Sequence, residues 1–384
     1  MKVLVIGAGL GGLSLARRLL KAGIDVGVRE RDSAVESRFQ GYRIGLGGPG
    51  LVALRGCLPE RLLPLLDAIG GDMTGMGRAV DTQLRVLGET PPQDEGTLFD
   101  RHVLRHLLLA GLDEHVVFDK KLDDYRELPD GRVRVCFADG TAEVADVVVG
   151  ADGMGSTVRR QLIPSVRIRQ MDRCGAIGRT PLTDRVAGLV PGWSTMVNSP
   201  ERQLFLGKMP FRRPPAEAAA ELAPEVILPD TRSYLRWVMM IPMEHAGNIL
   251  ELEADPTAAL DLLRDLVKDW HPDLRALFDE ADADNSGVGR LKISDPVRPW
   301  PTRAVTLLGD AAHPAPPGGL GANLAFIDGE LLCRKLVAVN DGTEDLIPAL
   351  ADYERQMCGY AAEALGYAEK LFESFDEMRH AQQH

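Results

Sequence analysis

Three short glycine-containing segments, more than a hundred residues apart, carry the residue types that could bind one long phosphorylated ligand. They are Gly7–Gly12, Gly150–Gly153 and Gly309–Pro314. Each follows an apolar run typical of a β-strand, so each is predicted to lie where a strand ends. Backbone N–H groups in a glycine turn can contact a pyrophosphate, and an aspartate can accept hydrogen bonds from a polyol chain. Together the segments predict a site for a ligand that contains both groups.

The first segment has the G-x-G-x-x-G spacing of a nucleotide-binding turn. Gly7 allows the tight turn, Gly9 allows a phosphate to approach the main chain, and Gly12 allows the helix to pack against the strand. Glu30 follows eighteen residues after Gly12, where an acid can accept the ribose hydroxyls of an adenosine. The residues predicted to bind the nucleotide are Gly7, Gly9, Leu10, Gly11, Gly12, Glu30 and Arg31.

The third segment is predicted to contact the other end of the ligand. Asp310 can accept hydrogen bonds from a ribityl chain while its charge faces a helix N-terminus. The run that follows is rich in proline and glycine, and its backbone N–H groups could face the ring edge where a reduced flavin gathers negative charge. The predicted residues are Gly309, Asp310, Pro316, Pro317, Gly318, Gly319, Leu320, Gly321, Ala322 and Asn323.

The elements that must position these segments can be predicted from the apolar periodicity. Residues 2–30 have the pattern of a strand, a helix and a second strand, which opens a parallel α/β sheet. Residues 132–149 alternate as paired strands around a turn at 138–140, and residues 304–308 form another buried strand. The segment 346–384 is predicted to be helical.

The middle of the chain has a different texture and predicts a second, smaller domain built on a mixed sheet. Its short strand-like runs include the candidate pocket-wall residues Met196, Phe205, Trp237 and Met239. The predicted division assigns 1–75, 96–171 and 290–345 to a discontinuous cofactor domain. Residues 76–95 and 172–289 are then assigned to a substrate domain. No acid or base of the substrate domain can be named.

Composition excludes several classes of protein. The 44 Lys+Arg and 56 Asp+Glu residues give a net charge of −12, and such a surface repels nucleic acid. No run approaches eighteen apolar residues, so no membrane span is expected. The chain enters a strand at Lys2, leaving no room for a signal peptide, and its five cysteines are scattered. We therefore expect a cytoplasmic protein, as a monomer or homodimer.

No metal site is predicted. Asp282–Gly287 imitates the start of a calcium loop, but Ile293 stands where the bidentate glutamate belongs. His313 lies beside the predicted flavin loop, with no acid spaced to orient it. We expect His313 to pack or to hydrogen-bond the backbone rather than to transfer a proton.

The three segments resemble the FAD fingerprints of the para-hydroxybenzoate hydroxylase family of single-component flavin monooxygenases. The match is close over Val147–Arg159 and Gly309–His313, and the resemblance covers nearly the whole chain. By that resemblance Arg101 contacts FAD, and Asp152 and Gly153 belong to a segment associated with both FAD and NAD(P)H. Arg43 matches, more loosely, a residue near the isoalloxazine. The loop after His313 departs from the family in being one residue shorter, with Leu320 in place of a polar residue.

The resemblance implies the chemistry as well as the fold. NADPH or NADH would reduce FAD as a transient visitor, O₂ would add at the flavin C4a, and the hydroperoxide would hydroxylate an aromatic or polycyclic small molecule. A natural-product intermediate is one such substrate. Two alternatives within flavin chemistry are a halogenase, because Trp237–Pro242 half matches a halogenase signature, and a geranylgeranyl-reductase-like enzyme. An alternative of another class is a non-catalytic flavin-binding redox sensor.

Overall fold

A computed structural model describes residues 1–37, 42–91, 96–314 and 319–381, with side chains described as far as residue 366. Its strands, in chain order, are β1 (Lys2–Ile6), β2 (Asp25–Arg29), β3 (Arg43–Gly47), β4 (Gly71–Asp72), β5 (Gly77–Asp81), β6 (Val86–Thr90), β7 (Gly96–Asp100), β8 (Val116–Val117), β9 (Leu122–Glu127), β10 (Val133–Phe137), β11 (Ala142–Ala145), β12 (Val147–Gly150), β13 (Ile168–Pro181), β14 (Thr195–Asn198), β15 (Gln203–Met209), β16 (Tyr234–Pro242), β17 (Gly287–Ser294) and β18 (Val305–Leu307).

Helices alternate with these strands in the first half of the chain and cluster later. They are α1 (Leu10–Lys21), α2 (Gly48–Cys57), α3 (Leu63–Ala68), α4 (Arg101–Leu109), α5 (Thr157–Leu162), α6 (Asp184–Gly188), α7 (Pro215–Leu222), α8 (Ile249–Ala254), α9 (Pro256–Leu266), α10 (Pro272–Asp279), α11 (Leu320–Asn340) and α12 (Leu346–Ala381). In the described ranges, no helix is both long enough and apolar enough to cross a membrane.

A five-stranded sheet in the order β18-β12-β1-β2-β8 forms the centre of the first layer. Each described pair in it is parallel, with Ile6 beside Gly150 and Gly150 beside Leu307. Strand β1 is almost wholly buried, as expected of a parallel strand covered on both faces. The carboxyl ends of the three strands that precede the glycine segments therefore lie side by side.

Helix α1 connects β1 to β2, and its boundaries follow from the sequence. Leu13, Ala16 and Leu19 recur at helical spacing and are fully buried against the sheet. Gly23, just after the helix, has a φ of 74°, a conformation that glycine adopts without steric cost. The strand–helix–strand prediction for residues 2–30 is thus confirmed.

A seven-stranded mixed sheet in the order β17-β13-β16-β15-β14-β5-β6 forms the second unit. Most neighbours are antiparallel, whereas β14 and β5 run parallel. One face of this sheet packs against residues of α8, α9 and α10 in a closed apolar core. We call the other face, which carries Ile177, Phe205, Arg236 and Val238, the open face. Met209 and Tyr234 on the open face pack against Tyr42, which directly precedes β3, and against Leu98 of β7.

The predicted fold class is confirmed, since a parallel α/β sheet is joined to a mixed sheet and a long final helix. The prediction of paired strands over 132–149 was partly wrong, because the second strand is interrupted at Asp146. Residues 142–145 pair with β10, but β12 continues into the parallel sheet. The domain boundaries stay a prediction. The predicted boundary between residues 289 and 290 falls inside strand β17.

Candidate functional site

The three glycine segments meet at the carboxyl edge of the parallel sheet. A β-carbon at Gly7 would lie 2.4 Å from the carbonyl oxygen of Ala151, so the first two segments are in backbone contact. Gly7 also has a φ of 111°, which restricts this position to glycine. Arg159 of α5 donates to the carbonyl oxygens of Asp310 and Ala311, at 3.1 and 2.9 Å, and to that of Met154. This buried guanidinium joins the second segment to the third.

The N-terminus of α1 is open for an anion. Its N-cap residue, Gly9, has no side chain to accept from the first turn, and that turn contains no acid. A β-carbon at Gly9 would meet no atom within 4 Å, whereas one at Gly12 would lie 2.2 Å from the Gly7 carbonyl oxygen. Space at Gly9 and close packing at Gly12 are what a bound pyrophosphate requires.

Glu30 is buried at the end of β2 and is already engaged with the glycine turn. Its carboxylate accepts from the backbone N–H of Ala8 at 2.7 Å and from that of Asp32 at 3.0 Å. Arg105 lies 3.6 Å from the same carboxylate and donates to the Ala8 carbonyl oxygen at 2.8 Å. Arg31, in contrast, is about half exposed and stays a predicted cofactor residue without contacts that fix its role.

In the second segment, the carboxylate of Asp152 binds the N-terminus of the helix that follows it, α5. Asp152 accepts from the Thr157 N–H at 2.7 Å and from the Ser156 hydroxyl, and the Ser156 hydroxyl caps α5. Gly153 turns with a φ of 75°, and no atom lies near its missing β-carbon. Side chains of the same segment therefore already accept from backbone N–H groups of the first turn of α5. The contact of Asp152 and Gly153 with a cofactor remains a prediction.

Asp328 of α11 holds the third segment in place. Its fully buried carboxylate accepts from the Gly309 N–H at 2.7 Å, lies 2.7 Å from His313 Nε2, and accepts from the Tyr360 hydroxyl. Burial disfavours a charged imidazole, but the Asp328 carboxylate outweighs it and raises the pKa of His313. The expectation that no acid orients His313 was wrong, because helical geometry brings an aspartate fifteen residues later back onto the turn.

Asp310 lies between these two anchors, on a single turn of 3₁₀-helix at Gly309–Ala311. A β-carbon on Gly321, in the first turn of α11, would lie 3.1 Å from Asp310 Oδ1. The Asp310 carboxylate is thus close to the N-terminus of α11, where negative charge is favoured. The long helix begins ten residues after Asp310, at Leu320.

The predicted ring-edge loop is only partly described. Pro316, Pro317 and Gly318 lie outside the described residues. Gly319 is the N-cap of α11 with a φ of 86°, and no side chain caps Leu320–Ala322. Asn323 fixes this turn to β3. Its amide donates to the carbonyl oxygens of Gly319 and Gly45, and its side-chain oxygen accepts from the Gly47 N–H.

Two predicted arginines lie where the two sheets meet. Arg101 begins α4, and its backbone N–H donates to the Tyr42 carbonyl oxygen at 2.9 Å. Arg43 begins β3 and donates to the carbonyl oxygens of Trp193 and Lys208 in the second unit. Burial, together with the nearby Arg236, lowers the pKa of Arg43 to about 9. Arg43 is directed at the open face, and its contact with a flavin stays a prediction.

The candidate pocket-wall residues separate onto opposite faces of the second sheet. Met196 and Phe205 are cross-strand partners, and Phe205 pairs with Val238 of the open face. Trp237 and Met239 are fully buried in the helix-backed core, where Trp237 stacks edge-on with Phe278. Their assignment to the pocket wall was wrong. The sequence prediction missed the helices at 249–279, and alternation along β16 places Trp237 and Met239 on the face that these helices cover.

Three functional candidates were missed by sequence reasoning. Arg105 is one helical turn after Arg101, and the patterning of α4 could have placed both near the glycine turn. Asp328 is a charged residue inside an apolar stretch, which is the signal for a buried partner, whereas Arg159 stands among polar residues and gives no such signal. No local pattern identifies the partners of Arg159, because it acts over more than 150 residues of chain.

The carboxyl edge of the parallel sheet, taken as a whole, fits FAD. Two helix N-termini, those of α1 and α11, lack side-chain caps, and the carboxylates of Glu30 and Asp310 flank them. Glu30 and Asp310 follow strands three spacings apart, roughly 14 Å, so only an extended ligand could contact both. Such an arrangement suits a ribose at one end, phosphates in the middle and a polyol at the other end.

Comparisons with known proteins agree with this fit. The "FAD binding domain" family model matches residues 130–362. An FAD-dependent urate hydroxylase of Mycolicibacterium vanbaalenii is 28% identical over 96% of this chain and 87% of its own length. A dual O-methyltransferase/FAD-dependent monooxygenase of Cercospora beticola is 30% identical over 92% of this chain. The chain spans only 44% of the length of that fungal relative.

A solved structure from Photorhabdus luminescens, described as a putative FAD-containing monooxygenase, is similar over nearly the whole chain. It superposes with a TM-score of 0.82 at 31% identity, covering 99% of this chain and 98% of its own. The resemblance inferred from the three segments is thereby confirmed. The chain belongs to the para-hydroxybenzoate hydroxylase-like family of FAD-dependent monooxygenases.

Proposed function

We propose that this chain is an FAD-dependent monooxygenase that uses NADPH or NADH and O₂ to hydroxylate an aromatic or polycyclic small molecule. The observation that carries the proposal is the FAD-shaped edge of the parallel sheet, placed beside the open face of a second sheet. FAD, when bound, supplies both the electron transfer from the nicotinamide and the activation of oxygen. The substrate would lie between the ring-edge turn at Gly319–Asn323 and the open face.

The chain's own residues would hold and orient the cofactor. The first turn of α1 would bind the pyrophosphate, Glu30 the adenosine ribose, and Asp310 the ribityl chain. The uncapped first turn of α11 would direct N–H groups at the ring edge, where negative charge develops during reduction. Asn323 keeps this turn against β3, and Arg43 extends from β3 to the open face.

The open face would supply apolar contact for a flat substrate. Ile177, Phe205, Val238 and Met240 lie together there on three adjacent strands, and Met196 extends the surface on a fourth. Apolar walls with few polar groups are typical of small-molecule sites and limit the access of water to a reactive oxygen species. The relative that is named as a urate hydroxylase supports a substrate of this kind.

We also propose the reductant and the cellular location. The parallel sheet serves one dinucleotide, so the nicotinamide would visit the site without a separate nucleotide domain. We place the enzyme in the cytoplasm as a monomer or homodimer without nucleic-acid partners, in accord with its net charge of −12 and scattered cysteines.

The proposal is tested by FAD content and by consumption of NADPH or NADH. Purified protein should hold one FAD per chain and oxidise the nicotinamide slowly until urate, 4-hydroxybenzoate or a polycyclic phenol is added. Turnover that needs halide and a separate flavin reductase would favour the halogenase. Bound FAD that no nicotinamide reduces under any of these conditions would favour the redox sensor.

A further inference from the structure

A histidine and an aspartate are buried together behind the turn that carries Asp310. The side chain of His313 is 1% exposed and that of Asp328 is fully buried, and His313 Nε2 lies 2.7 Å from Asp328 Oδ2. His313 belongs to the third glycine segment, whereas Asp328 lies on α11. We call these two residues the buried pair. The cofactor contacts proposed above do not involve its charge.

Asp328 is held as a carboxylate by the groups that donate to it. Besides its contact with His313, it accepts from the Gly309 N–H at 2.7 Å and from the Tyr360 hydroxyl. Hydrogen bonds donated to the charged form of an acid favour that form. Burial raises the pKa of Tyr360, so this hydroxyl stays a neutral donor. An ionised group out of water is costly unless a charge of opposite sign pairs with it, so Asp328 requires a cation.

His313 can supply that cation. Among the described residues, it is the one basic side chain within 4.0 Å of the Asp328 carboxylate. The guanidinium of Arg159, which also contacts this turn, donates instead to the carbonyl oxygens of Asp310 and Ala311. In the same part of the chain His313 Nδ1 has no hydrogen-bond partner, so the charge of the ring is decided at Nε2. Burial lowers the pKa of His313, but the carboxylates of Asp328 and Asp310 outweigh burial and raise it.

The buried pair is close to the part of the site that is assigned to the flavin. His313 lies three residues after Asp310, so the chain keeps the two residues within about 11 Å of each other. The His313 N–H donates to the Gly309 carbonyl oxygen at 2.9 Å, which makes this stretch more compact still. Gly319, the N-cap of α11 at the ring-edge turn, follows six residues later. Along the chain, His313 thus stands between the residue assigned to the ribityl chain and the turn assigned to the ring edge.

We propose that His313 is an imidazolium paired with Asp328, and that its charge raises the reduction potential of bound FAD. This inference rests on the proposed function, because it requires FAD at the edge of the parallel sheet. A flavin gains negative charge at its ring edge on reduction, so a nearby cation favours the reduced form. Without the imidazolium, the Asp328 carboxylate would leave a net negative charge in the same place. The hydride still comes from NADPH or NADH, and the buried pair exchanges no electrons.

The test measures the midpoint potential of FAD-loaded protein against a reference dye at a series of pH values. His313→Gln keeps an N–H donor for Asp328 and removes the charge. Below the ordinary histidine pKa of about 6.5, this change should lower the ratio of reduced to oxidised FAD at a fixed potential about tenfold, or roughly 30 mV for a two-electron couple. The difference should disappear as pH rises through the raised pKa of His313, because the wild-type pair then has the same charge as the variant pair.

Variants of Asp328 separate the effect of charge from that of structure. In Asp328→Asn the acid is gone and burial favours a neutral imidazole, so the buried pair again has no net charge. The double variant His313→Gln/Asp328→Asn has none either. Both should keep the ratio of reduced to oxidised FAD within about threefold of the wild type, which is roughly 15 mV. If the two residues acted only by supporting the turn, the losses in the two single variants would instead accumulate in the double variant.

His245→Gln serves as the matched control, because His245 lies in the second unit and is partly exposed beside Glu201. It should leave the potential unchanged. The proposal is overturned if His313→Gln has the wild-type potential at low pH, or if the difference persists at high pH. A double variant with a potential as low as that of His313→Gln would overturn it as well.

The charge of His313 can also be measured without FAD, by NMR of the imidazole nitrogens in FAD-free protein. The His313 signal, identified as the one that Asp328→Asn changes, should be that of an imidazolium at a pH of about 6.5 in the wild type. A neutral ring there overturns the proposal even if His313→Gln does not fold. Protein that binds no FAD would defeat the proposed function as well, whereas bound FAD whose potential ignores His313 would defeat this proposal alone.

Discussion

Glu30 shows how one carboxylate can serve both the fold and the ligand. It accepts from the Ala8 and Asp32 N–H groups and lies beside Arg105, so it fixes the glycine turn before any cofactor arrives. A carboxylate has about four acceptor positions, and two backbone donors leave room for the hydroxyls of a ribose. Glu30, which was predicted from its spacing alone to bind the ribose, therefore also stabilises the glycine turn.

The first prediction concerns this carboxylate. Glu30→Ala should lower FAD affinity about ten- to a hundredfold, because charge-assisted hydrogen bonds contribute roughly 1.5–3 kcal/mol. Glu30→Gln should be milder, since its amide oxygen still accepts. Calorimetric titration of apoprotein with FAD measures both, with Glu114→Ala as an exposed control. Wild-type affinity in Glu30→Ala would remove Glu30 from the cofactor site.

The second prediction concerns Glu354, which is buried under hydroxyl donors from Thr302 and Thr306. Burial raises the pKa of Glu354 from 4.5 to about 7. Between these values the folded protein keeps a proton that the unfolded chain has lost, so this contribution to stability is present at low pH and is lost as pH rises from 4.5 to 7. The full difference is about 3 kcal/mol at 1.36 kcal/mol per pKa unit.

Glu354→Gln, which stays neutral, should abolish this decline and be the more stable protein at pH 8. Denaturant unfolding at a series of pH values checks it, with the same change at the exposed Glu344 as the control. Parallel pH profiles for the wild type and Glu354→Gln would show that Glu354 is ionised in the folded protein.

At the scale of elements, Asp328 makes α11 the support for the turn that carries Asp310. It binds Gly309 and His313 on either side of Asp310, so the turn moves only if this helix moves. Arg159 of α5 holds the same turn from the opposite side through backbone carbonyl oxygens. The third segment thus derives its geometry from two helices that are far apart in sequence.

The third prediction follows from this support. Asp328→Asn removes the negative charge that the Gly309 N–H and His313 contact through one oxygen, so the free energy of unfolding should fall by about 1–3 kcal/mol and FAD affinity by roughly tenfold. Tyr360→Phe removes one hydrogen bond from the same carboxylate and should cost only about 1 kcal/mol, with little change in FAD affinity. If Asp328→Asn binds FAD as the wild type does, Asp328 does not position Asp310.

The sequence predicted elements better than it predicted which face they present. Residues 2–30 folded as expected, because local periodicity and the glycine spacing determine a βαβ unit. Trp237 and Met239 were placed on the wrong face, because alternation gives two faces without saying which one a helix covers. The partners of His313 and Arg159 were not predictable either, since tertiary contacts over long chain separations create them.

At the scale of the whole molecule, the arginines at the open face are opposite in sign to the net charge of the chain. The chain carries a net charge of −12, yet its open face carries Arg179 and Arg236, and Arg43 of β3 extends to it. Arg179 is paired with Asp282. A cationic site in an acidic protein attracts small anions locally, while the remaining surface repels phosphate polymers. Two sheets meet at this site, one assigned to the cofactor and the other to the substrate.

Incorporation of labelled oxygen from O₂ is the sharpest test of whether the chain is a monooxygenase. A substrate that stimulates NADPH or NADH consumption is turned over under isotopically labelled O₂, and the mass of the product is measured. We expect one labelled oxygen atom per product molecule, with label from O₂ and none from water. A product without label, or one formed only when chloride or bromide is present, would contradict the assignment as a monooxygenase.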